Sequence, residues 1–217
     1  MDALGDHLNS CTRTGRTQRR ALPFERAWIQ VFREAGLNVQ PKPLVRNLGL
    51  TPPPDSSDSR QLDFVVSGSN VCGGLPLGCD PTLMSVLNCR GEPHGGDVFK
   101  QARQRKEETY RDVKDSGRIS LVVLAALTGG RFSDESAQVV RSLAQQKSEA
   151  APPLLRGSIR QGYSQRWWPI LSCAVQRASI ACLQGSFPPV AGPWEFPDDF
   201  AVADEAAEVQ FFSRLGP

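Results

Sequence analysis

The sequence predicts an α/β fold in which a small mixed β-sheet is flanked by helices. Three short apolar runs, at residues 62–66, 77–87 and 118–127, have the length and composition of β-strands. An amphipathic pattern precedes them at 24–36, and a charged helical pattern at 100–113 separates the second run from the third. The order helix, three or so strands, helix, strand and further helices is typical of a sheet covered by helices.

The first half of the chain predicts one helix, an irregular connection and a strand pair. Apolar residues recur at helical spacing from Phe24 to Ala35, and Gly36 supplies a stop. Residues 41–60 contain three consecutive prolines and an Asp/Ser-rich run, which predicts a mobile loop with one short strand near 44–48. The first two apolar runs then predict paired strands, because a Gly- and Ser-rich connection joins them.

The second half predicts helices around one more strand. Residues 100–113 predict a charged helix, and the nearly continuous apolar run at 118–127 predicts a central strand covered on both faces. Ser133 offers an N-cap for a helix over about 134–147.

The remaining segments set the predicted domain boundaries. Residues 154–184 predict one or two helices, broken near Pro169. The Pro-rich and then acidic residues at 186–217 predict a partly disordered tail. We therefore expect one folded domain at 21–185, preceded by a separate segment at 1–20.

Composition limits the partners without selecting one. The 217 residues include 25 Lys and Arg against 23 Asp and Glu, so the net charge of +2 permits basic patches but does not indicate nucleic-acid binding by itself. The apolar runs are too short or too interrupted to span a bilayer, so no membrane partner is expected. The N-terminus lacks an apolar signal core, so we expect a reducing compartment and free thiols for the six Cys.

Two Asp residues stand at the starts of the paired strands. Asp63 opens the first strand, and Asp80 and Thr82 share one face of the second, because side chains alternate along a strand. Pairing the strands can bring Asp63 and Asp80 together, at a spacing suited to sharing Mg²⁺ or Mn²⁺. The alternative is two Asp residues beside turns, where Asp is common.

The charged helix and the first helix can add polar groups to this pair. Lys106 and Tyr110 lie four residues apart on one helix face, with Arg103 beside that face. Lys106 can stand near the attacking water or the scissile phosphate, and the Tyr110 hydroxyl can hold the phosphate or the Lys. Glu25, at the margin of the first apolar face, is a candidate third metal ligand. The alternatives are a solvated charged face and a first-turn Glu favoured by the helix dipole.

These residues carry a family resemblance. The chain resembles, over about residues 6–185, the C-terminal endonuclease region of non-LTR (LINE-like) retrotransposon polyproteins, whose nuclease belongs to the PD-(D/E)XK superfamily. The motifs that match are Arg60-Gln61-Leu62-Asp63, Asp80-Pro81-Thr82, Lys106-Glu107-Glu108-Thr109-Tyr110, Thr128-Gly129-Gly130-Arg131-Phe132 and the helix Leu171–Ala178. The resemblance implies a restriction-endonuclease-like core for the mixed sheet.

Two positions depart from the superfamily pattern. Leu62 replaces the Pro that usually precedes the first Asp, which leaves the metal ligand itself in place. Thr82 occupies the position where many members carry Lys, and the resemblance implies that Lys106 on the following helix is its substitute.

Other Cys, His and Trp residues have weaker interpretations. The run Gly5–Cys11 resembles the His and Cys half of a zinc knuckle, so segment 1–20 is expected to be a remnant of a longer polyprotein that cannot close a tetrahedral site alone. Free thiols in loops are favoured over a second, irregular zinc site. Core packing is likewise favoured over base stacking for the Trp pair. The residues in question are Cys72, Cys79, Cys89 and His94 for the zinc site, and Trp167 and Trp168 for the pair.

The resemblance implies a magnesium-dependent DNA endonuclease that nicks target DNA for retrotransposon integration by target-primed reverse transcription. Asp63, Asp80 and Glu25 would bind metal, Lys106 and Tyr110 would assist catalysis, and Lys106 with Arg60 and Arg103 would contact DNA. Element RNA would be reached only through an upstream polymerase part, and a functional copy would be nuclear. Two rivals stay open: a catalytically silent remnant that only binds nucleic acid, and a junction resolvase or repair nuclease of the same fold.

Overall fold

A computed structural model describes residues 16–50, 55–87, 92 and 96–184, with side chains described from residue 21 to residue 181 of these ranges. The predicted zinc-knuckle motif, the C-terminal tail, Cys89 and His94 lie outside this part of the chain. Within the described ranges, no helix is long and apolar enough to cross a membrane.

The helices and strands follow the predicted order of helix, three strands, helix, strand and helices. In chain order they are α1 (Arg16–Glu34), β1 (Asn38–Pro41), β2 (Phe64–Ser67), β3 (Leu77–Met84), α2 (Val98–Thr109), α3 (Arg111–Asp115), β4 (Ser120–Leu127), α4 (Asp134–Glu149) and α5 (Arg156–Gln184). β2 and β3 lie where the strand pair was predicted, with slightly shifted ends.

The four strands form one mixed sheet in the order β1-β2-β3-β4. β1 and β3 both pair antiparallel with β2, and β3 pairs parallel with β4. A parallel pair needs a long crossover connection, and α2 with α3 supplies it here. The predicted class, a mixed sheet flanked by helices, is therefore confirmed.

Helices cover both faces of this sheet. α1, α4 and α5 contribute to the larger buried layer on one face, and Phe64 and Val66 of β2 belong to that layer. Val65 belongs to a smaller layer on the other face, together with Tyr110 and Val113 from the α2–α3 region. This split follows from the alternation of side chains along a strand.

Helix α1 begins earlier than predicted. The apolar pattern indicated a start near Phe24, where the helical spacing of apolar residues begins. In the structure the helix begins at Arg16 and runs through Pro23. The helix thus extends across residue 21, where the sequence places the start of the folded domain, and Gly36, with φ of +85°, ends the helix region as expected.

The short strand predicted near 44–48 is also wrong. The first strand is β1, and residues Val45–Asn47 form a 3-10 turn instead. Pro43 has no N–H to donate to a ladder, so the pairing beyond β1 is reduced to an isolated bridge between Leu44 and Gln61. The turn carries Val45 into the smaller buried layer.

The charged helix predicted over 100–113 is divided in two. α2 starts after Asp97, whose carboxylate accepts a hydrogen bond from the backbone N–H of Phe99 at 3.0 Å. The helix ends at Tyr110, where φ of −114° breaks the helical path before α3 begins. The break allows the aromatic ring of Tyr110 to enter the buried layer beneath it.

Strand β4 is covered on both faces, as predicted, but it is not central. It is the last strand in the sheet order. The chain beyond it covers its outer edge, because the backbone N–H of Ser133 donates to the carbonyl of Ala125 at 3.0 Å and that of Leu127 donates to Arg131 at 2.8 Å. An apolar run alone cannot distinguish a central strand from an edge that the following segment protects.

The helices after β4 match the prediction in position, but the predicted break near Pro169 does not occur. Ser133 caps α4, accepting a hydrogen bond from the backbone N–H of Ser136 at 3.2 Å, as predicted. α5 is one helix that continues through Pro169. Trp167 and Leu171, on either side of the proline, are fully buried and hold the helix against α1. The Trp167 ring therefore packs in the core, as the sequence favours.

Glu34 at the end of α1 is expected to contribute strongly to stability. Its carboxylate accepts hydrogen bonds from Arg166 at 2.8 and 3.0 Å and from the indole N–H of buried Trp167 at 2.9 Å. Glu34→Ala leaves that indole donor without a partner, so we expect the free energy of unfolding to fall by about 1–3 kcal/mol. Urea denaturation at pH 7 measures this, with Glu34→Gln as the control that keeps an acceptor.

The same carboxylate gives a pH dependence. Burial raises its pKa, but hydrogen bonds from Arg166, Gln30 and Trp167 outweigh burial and leave the pKa below the ordinary value of 4.5. Its stabilising contribution is therefore present above pH 4.5 and is lost as the pH falls through the lowered value. The stability gap between wild type and Glu34→Ala should narrow on acidification. A gap that stays constant down to pH 3 would contradict this assignment.

Candidate functional site

Two carboxylates face one another across β2 and β3. The antiparallel register pairs Phe64 with Cys79, so the next pair outward is Asp63 with Asp80. Directly opposed residues of an antiparallel pair share a face of the sheet. Asp63 is two residues from Val65 and so lies on the face that α2 and α3 cover. The structure thus brings the two predicted ligands to one end of the same sheet face.

Asp80 is the buried member of this pair. Its side chain is 3% exposed, and its two oxygens have separate partners. Lys106 Nζ lies 2.8 Å from Oδ2, and the Thr82 hydroxyl donates to Oδ1 at 3.1 Å. Burial raises the pKa of Asp80, the adjacent Asp63 charge raises it further, and the Lys106 ammonium opposes both effects. The carboxylate is fixed in orientation before any ligand arrives.

Lys106 reaches Asp80 because of its position on α2. Ala102, one helical turn earlier, is the buried residue of this helix, so Lys106 lies on the face that points toward the sheet. Its side chain is about one-third exposed, at 32%, so the ammonium stands between the buried carboxylate and solvent. A cation in this place can meet a solvent-borne anion without leaving Asp80.

Glu25 reaches the same end of the sheet through a second lysine. Lys42, just after β1, places its ammonium 2.8 Å from Glu25 Oε2 and 2.6 Å from Asp63 Oδ1. The Glu25 side chain is only 8% exposed. Burial lowers the pKa of Lys42, but hydrogen bonds and the charges of Asp63 and Glu25 outweigh it and raise the pKa. The site therefore contains two linked groups, Lys42 with Glu25 and Asp63, and Lys106 with Asp80.

Tyr110 lies beside the site and is held by a backbone hydrogen bond. Its hydroxyl donates a hydrogen bond to the backbone carbonyl of Gln61 at 2.7 Å, and the residue is buried. Burial and the nearby charges of Asp80 and Asp63 raise its pKa, so the hydroxyl keeps its proton. This hydrogen bond ties the end of α2 to the segment that leads into Asp63, and the role of the hydroxyl toward a phosphate stays a prediction.

Arg60 is occupied by neighbouring carboxylates. Its guanidinium lies 2.7 Å from Asp58 and 2.7 Å from Asp112, and it also donates to the carbonyl of Thr109. These contacts join the loop before β2 to the start of α3. Its predicted contact with DNA would require Arg60 to release or share these two carboxylates.

Arg103 is engaged in a similar way. It pairs with Glu107, one turn later on α2, at 2.7 Å, and with Glu135 of α4. Glu135 in turn accepts the backbone N–H of Val123 at 3.3 Å, so Arg103 helps to fix α2 against the edge of β4. Its predicted contact with DNA therefore also requires breaking existing ion pairs.

Three other cations are better placed for a polyanion. Lys100 and Arg105 on α2 and Arg111 on α3 are exposed, and none of them has a carboxylate partner among the residues described. They lie on the helices that cover the Asp63 and Asp80 face. The sequence did not single out these three cations, because every Lys and Arg in residues 100–111 stands in a similar charged run.

Lys42 was missed as well. Its partners are 17 and 21 residues away along the chain, so no local spacing could join them. The available signal was its position between Pro41 and Pro43, immediately after a strand. A charged residue held between two prolines has restricted backbone freedom, which favours a fixed role.

One of the four residues of the alternative zinc site is buried in the core. Cys79 is fully buried on the core face of β3, and burial raises the pKa of its thiol well above the ordinary value. Cys72 is exposed. In the part of the chain that the structure covers, no group of three or more His, Cys, Asp or Glu side chains is placed to hold a metal ion by itself.

Comparison with known proteins gives no indication of the function of this site. No protein-family model matches the chain, and no curated protein is significantly similar to it. The functional conclusion therefore depends on the residues of the sheet end.

Proposed function

We propose that this protein is a metal-dependent DNA endonuclease with a restriction-endonuclease-like core. One observation carries the proposal: Asp63 and Asp80 oppose each other at one sheet end, with Lys106 on Asp80. Phosphodiester cleavage uses carboxylate oxygens to hold a metal and a cation to stabilise the charge that develops on phosphorus. Both kinds of group are present on one face of the sheet.

The topology supports the same proposal. A helix, three antiparallel strands, a crossover helix and a fourth, parallel strand form the core order of the restriction-endonuclease-like fold. The described chain has this order from α1 to β4, with the sheet arranged β1-β2-β3-β4. Asp63 before β2 and Asp80 in β3 are the acidic residues of the motifs that carry the resemblance, and Glu25 on α1 would add a third carboxylate.

The donor set suits magnesium or manganese. Asp63, Asp80 and Glu25 offer only carboxylate oxygens, the hard ligands that Mg²⁺ prefers. Magnesium is commonly held by one or two carboxylates, with water and substrate phosphates completing its shell. Asp63 and Asp80 would be the protein ligands, with Glu25 assisting from α1. This division agrees with the lack, in the described ranges, of a three-residue cage.

The surrounding residues have separate tasks in this proposal. A bound divalent ion would activate water and polarise the scissile phosphate. Lys106 would orient the attacking water or stabilise the transition-state charge, and Thr82 would keep the Asp80 carboxylate turned toward the ligand. Tyr110 would hold α2 in register with Asp63 through its bond to Gln61. Lys100 and Arg105 would attract the DNA backbone.

The biological setting that we propose follows the family resemblance. The enzyme would nick duplex DNA in the nucleus and expose a strand end that primes reverse transcription. The exposed cations of α2 and α3 also support a second candidate, a nucleic-acid-binding module without catalysis.

Nicking of supercoiled plasmid separates the two candidates. With Mg²⁺ or Mn²⁺, the wild-type chain should convert plasmid to the open circular form, and EDTA should stop it. Asp63→Ala, purified in the same way, should be inactive because one of the two metal ligands is lost, and it controls for contaminating nucleases. DNA binding by an inactive wild type would favour the binding module. Nicking by Asp63→Ala at the wild-type rate would refute the assigned site.

A further inference from the structure

Lys42 holds two of the proposed metal-site carboxylates. Its ammonium bridges Glu25 on α1 and Asp63 before β2, at 2.8 and 2.6 Å. It therefore contacts the same kind of oxygen that a divalent cation would use. A protein cation and a metal ion that share carboxylates compete for them.

The backbone at Lys42 holds the side chain in place. Lys42 has a left-handed φ of +49°, which is costly for a residue with a Cβ. Prolines stand on both sides, and the Lys42 N–H donates to the carbonyl of Asp63 at 2.9 Å. Main chain and side chain of Lys42 thus both bind Asp63. Costly backbone conformations of this kind concentrate at functional sites.

The burial of the partners is unequal. The side chain of Glu25 is 8% exposed, so removing its cation would leave a buried carboxylate without a charge partner, which is strongly unfavourable. Lys42 is 46% exposed, so its ammonium can turn into water without being left unpaired in the interior. The lysine is therefore the member of the cluster that can leave when another cation arrives.

We propose that Lys42 is a tethered counter-ion of the metal-free site, which holds Glu25 and Asp63 until a divalent cation displaces it. This inference rests on the proposed metal-dependent function. Its consequence is a linkage: the ion pair of Lys42 and the binding of metal oppose each other, so metal affinity is lower than the carboxylates alone would give.

Removing the lysine should therefore strengthen metal binding. We expect Lys42→Met in the full chain to bind Mg²⁺ on the order of tenfold more tightly than wild type in isothermal titration calorimetry. In metal-free buffer the variant should unfold at a lower temperature, because Glu25 has lost its cation. Added Mg²⁺ should raise the melting temperature of the variant more than that of wild type. NaCl is added to the samples without Mg²⁺, so that all samples have the same ionic strength.

Three further variants make the test specific. Lys147→Met removes a lysine of α4, a helix that packs on the other face of the sheet, and Lys147 has no carboxylate partner among the described residues, so it should leave Mg²⁺ affinity near the wild-type value. Adding Asp63→Asn to Lys42→Met should abolish the gain if the ion occupies this site. If Lys42→Met does not fold, Lys42→Asn takes its place, because Asn tolerates a left-handed φ and still donates a hydrogen bond.

The outcomes are distinct from those of the nicking assay. An Mg²⁺ affinity of Lys42→Met that is equal to or weaker than that of wild type overturns the inference, even if wild type nicks DNA. A gain that survives Asp63→Asn also overturns it. A tighter variant in a protein that never nicks DNA supports the counter-ion role and rejects the endonuclease proposal.

Discussion

Replacing Asp80 with asparagine is expected to abolish magnesium-dependent nicking while DNA binding stays intact or becomes slightly tighter. The amide keeps an oxygen for the Thr82 hydroxyl, which now bonds Oδ1 at 3.1 Å, but it removes the charge that would hold the ion. Removing a negative charge that faces phosphate favours binding, and the exposed cations remain. Plasmid nicking and fluorescence anisotropy on the same preparations measure the two effects.

A charge-matched control separates the site from general electrostatics. Asp115, in α3, is exposed and has no ion-pair partner in the described structure, so Asp115→Asn changes the net charge equally without touching the site. We expect it to nick like wild type. Asp80→Asn that nicks as well as Asp115→Asn would show that Asp80 is not a metal ligand.

Local chemistry was enough to predict the carboxylate pair. Alternation along two short apolar runs fixed which side chains share a face, and antiparallel pairing of neighbouring strands brought Asp63 opposite Asp80. The mixed sheet and its helices were predictable for the same reason, since each element carries its own period of apolar residues.

Contacts between distant elements were not predictable from spacing. Lys42 contacts Glu25 and Asp63 because Lys42 itself has a left-handed backbone, lies between two prolines and joins β1 to the following turn. The break at Tyr110 likewise depends on a buried layer that no local pattern reveals. Tertiary packing decides these positions, and a single sequence records it weakly.

Some ion-pair partners of the predicted DNA-binding arginines could be foreseen from the sequence, and others could not. For Arg60, Asp58 is two residues away, and for Arg103, Glu107 is one turn away, so nearby acidic partners were visible in the sequence. The partners from other elements, Asp112 on α3 and Glu135 on α4, were not. Partners of both kinds reduce the charge that these two arginines can offer to DNA.

Lys106→Ala is expected to slow single-turnover nicking by about two to three orders of magnitude, the usual effect of losing one positioned electrostatic stabiliser. Its ammonium lies 2.8 Å from Asp80, so much of its charge is already balanced in the free protein. DNA affinity should therefore change little. The rate is measured at saturating DNA and saturating Mg²⁺, so that a change in metal binding to the unpaired Asp80 does not contribute to it.

The opposite result is expected for the neighbouring residue, Arg105. Arg105 is exposed on α2 and has no carboxylate partner among the described residues, so Arg105→Ala removes the same charge from the same helix. We expect weaker DNA binding, with a salt dependence reduced by about one unit of slope, and an unchanged rate at saturation. Equal rates for Lys106→Ala and Arg105→Ala at saturation would reduce Lys106 to a structural partner of Asp80. A rate loss confined to Lys106→Ala, with affinity loss confined to Arg105→Ala, assigns catalysis and DNA attraction to adjacent residues of one helix.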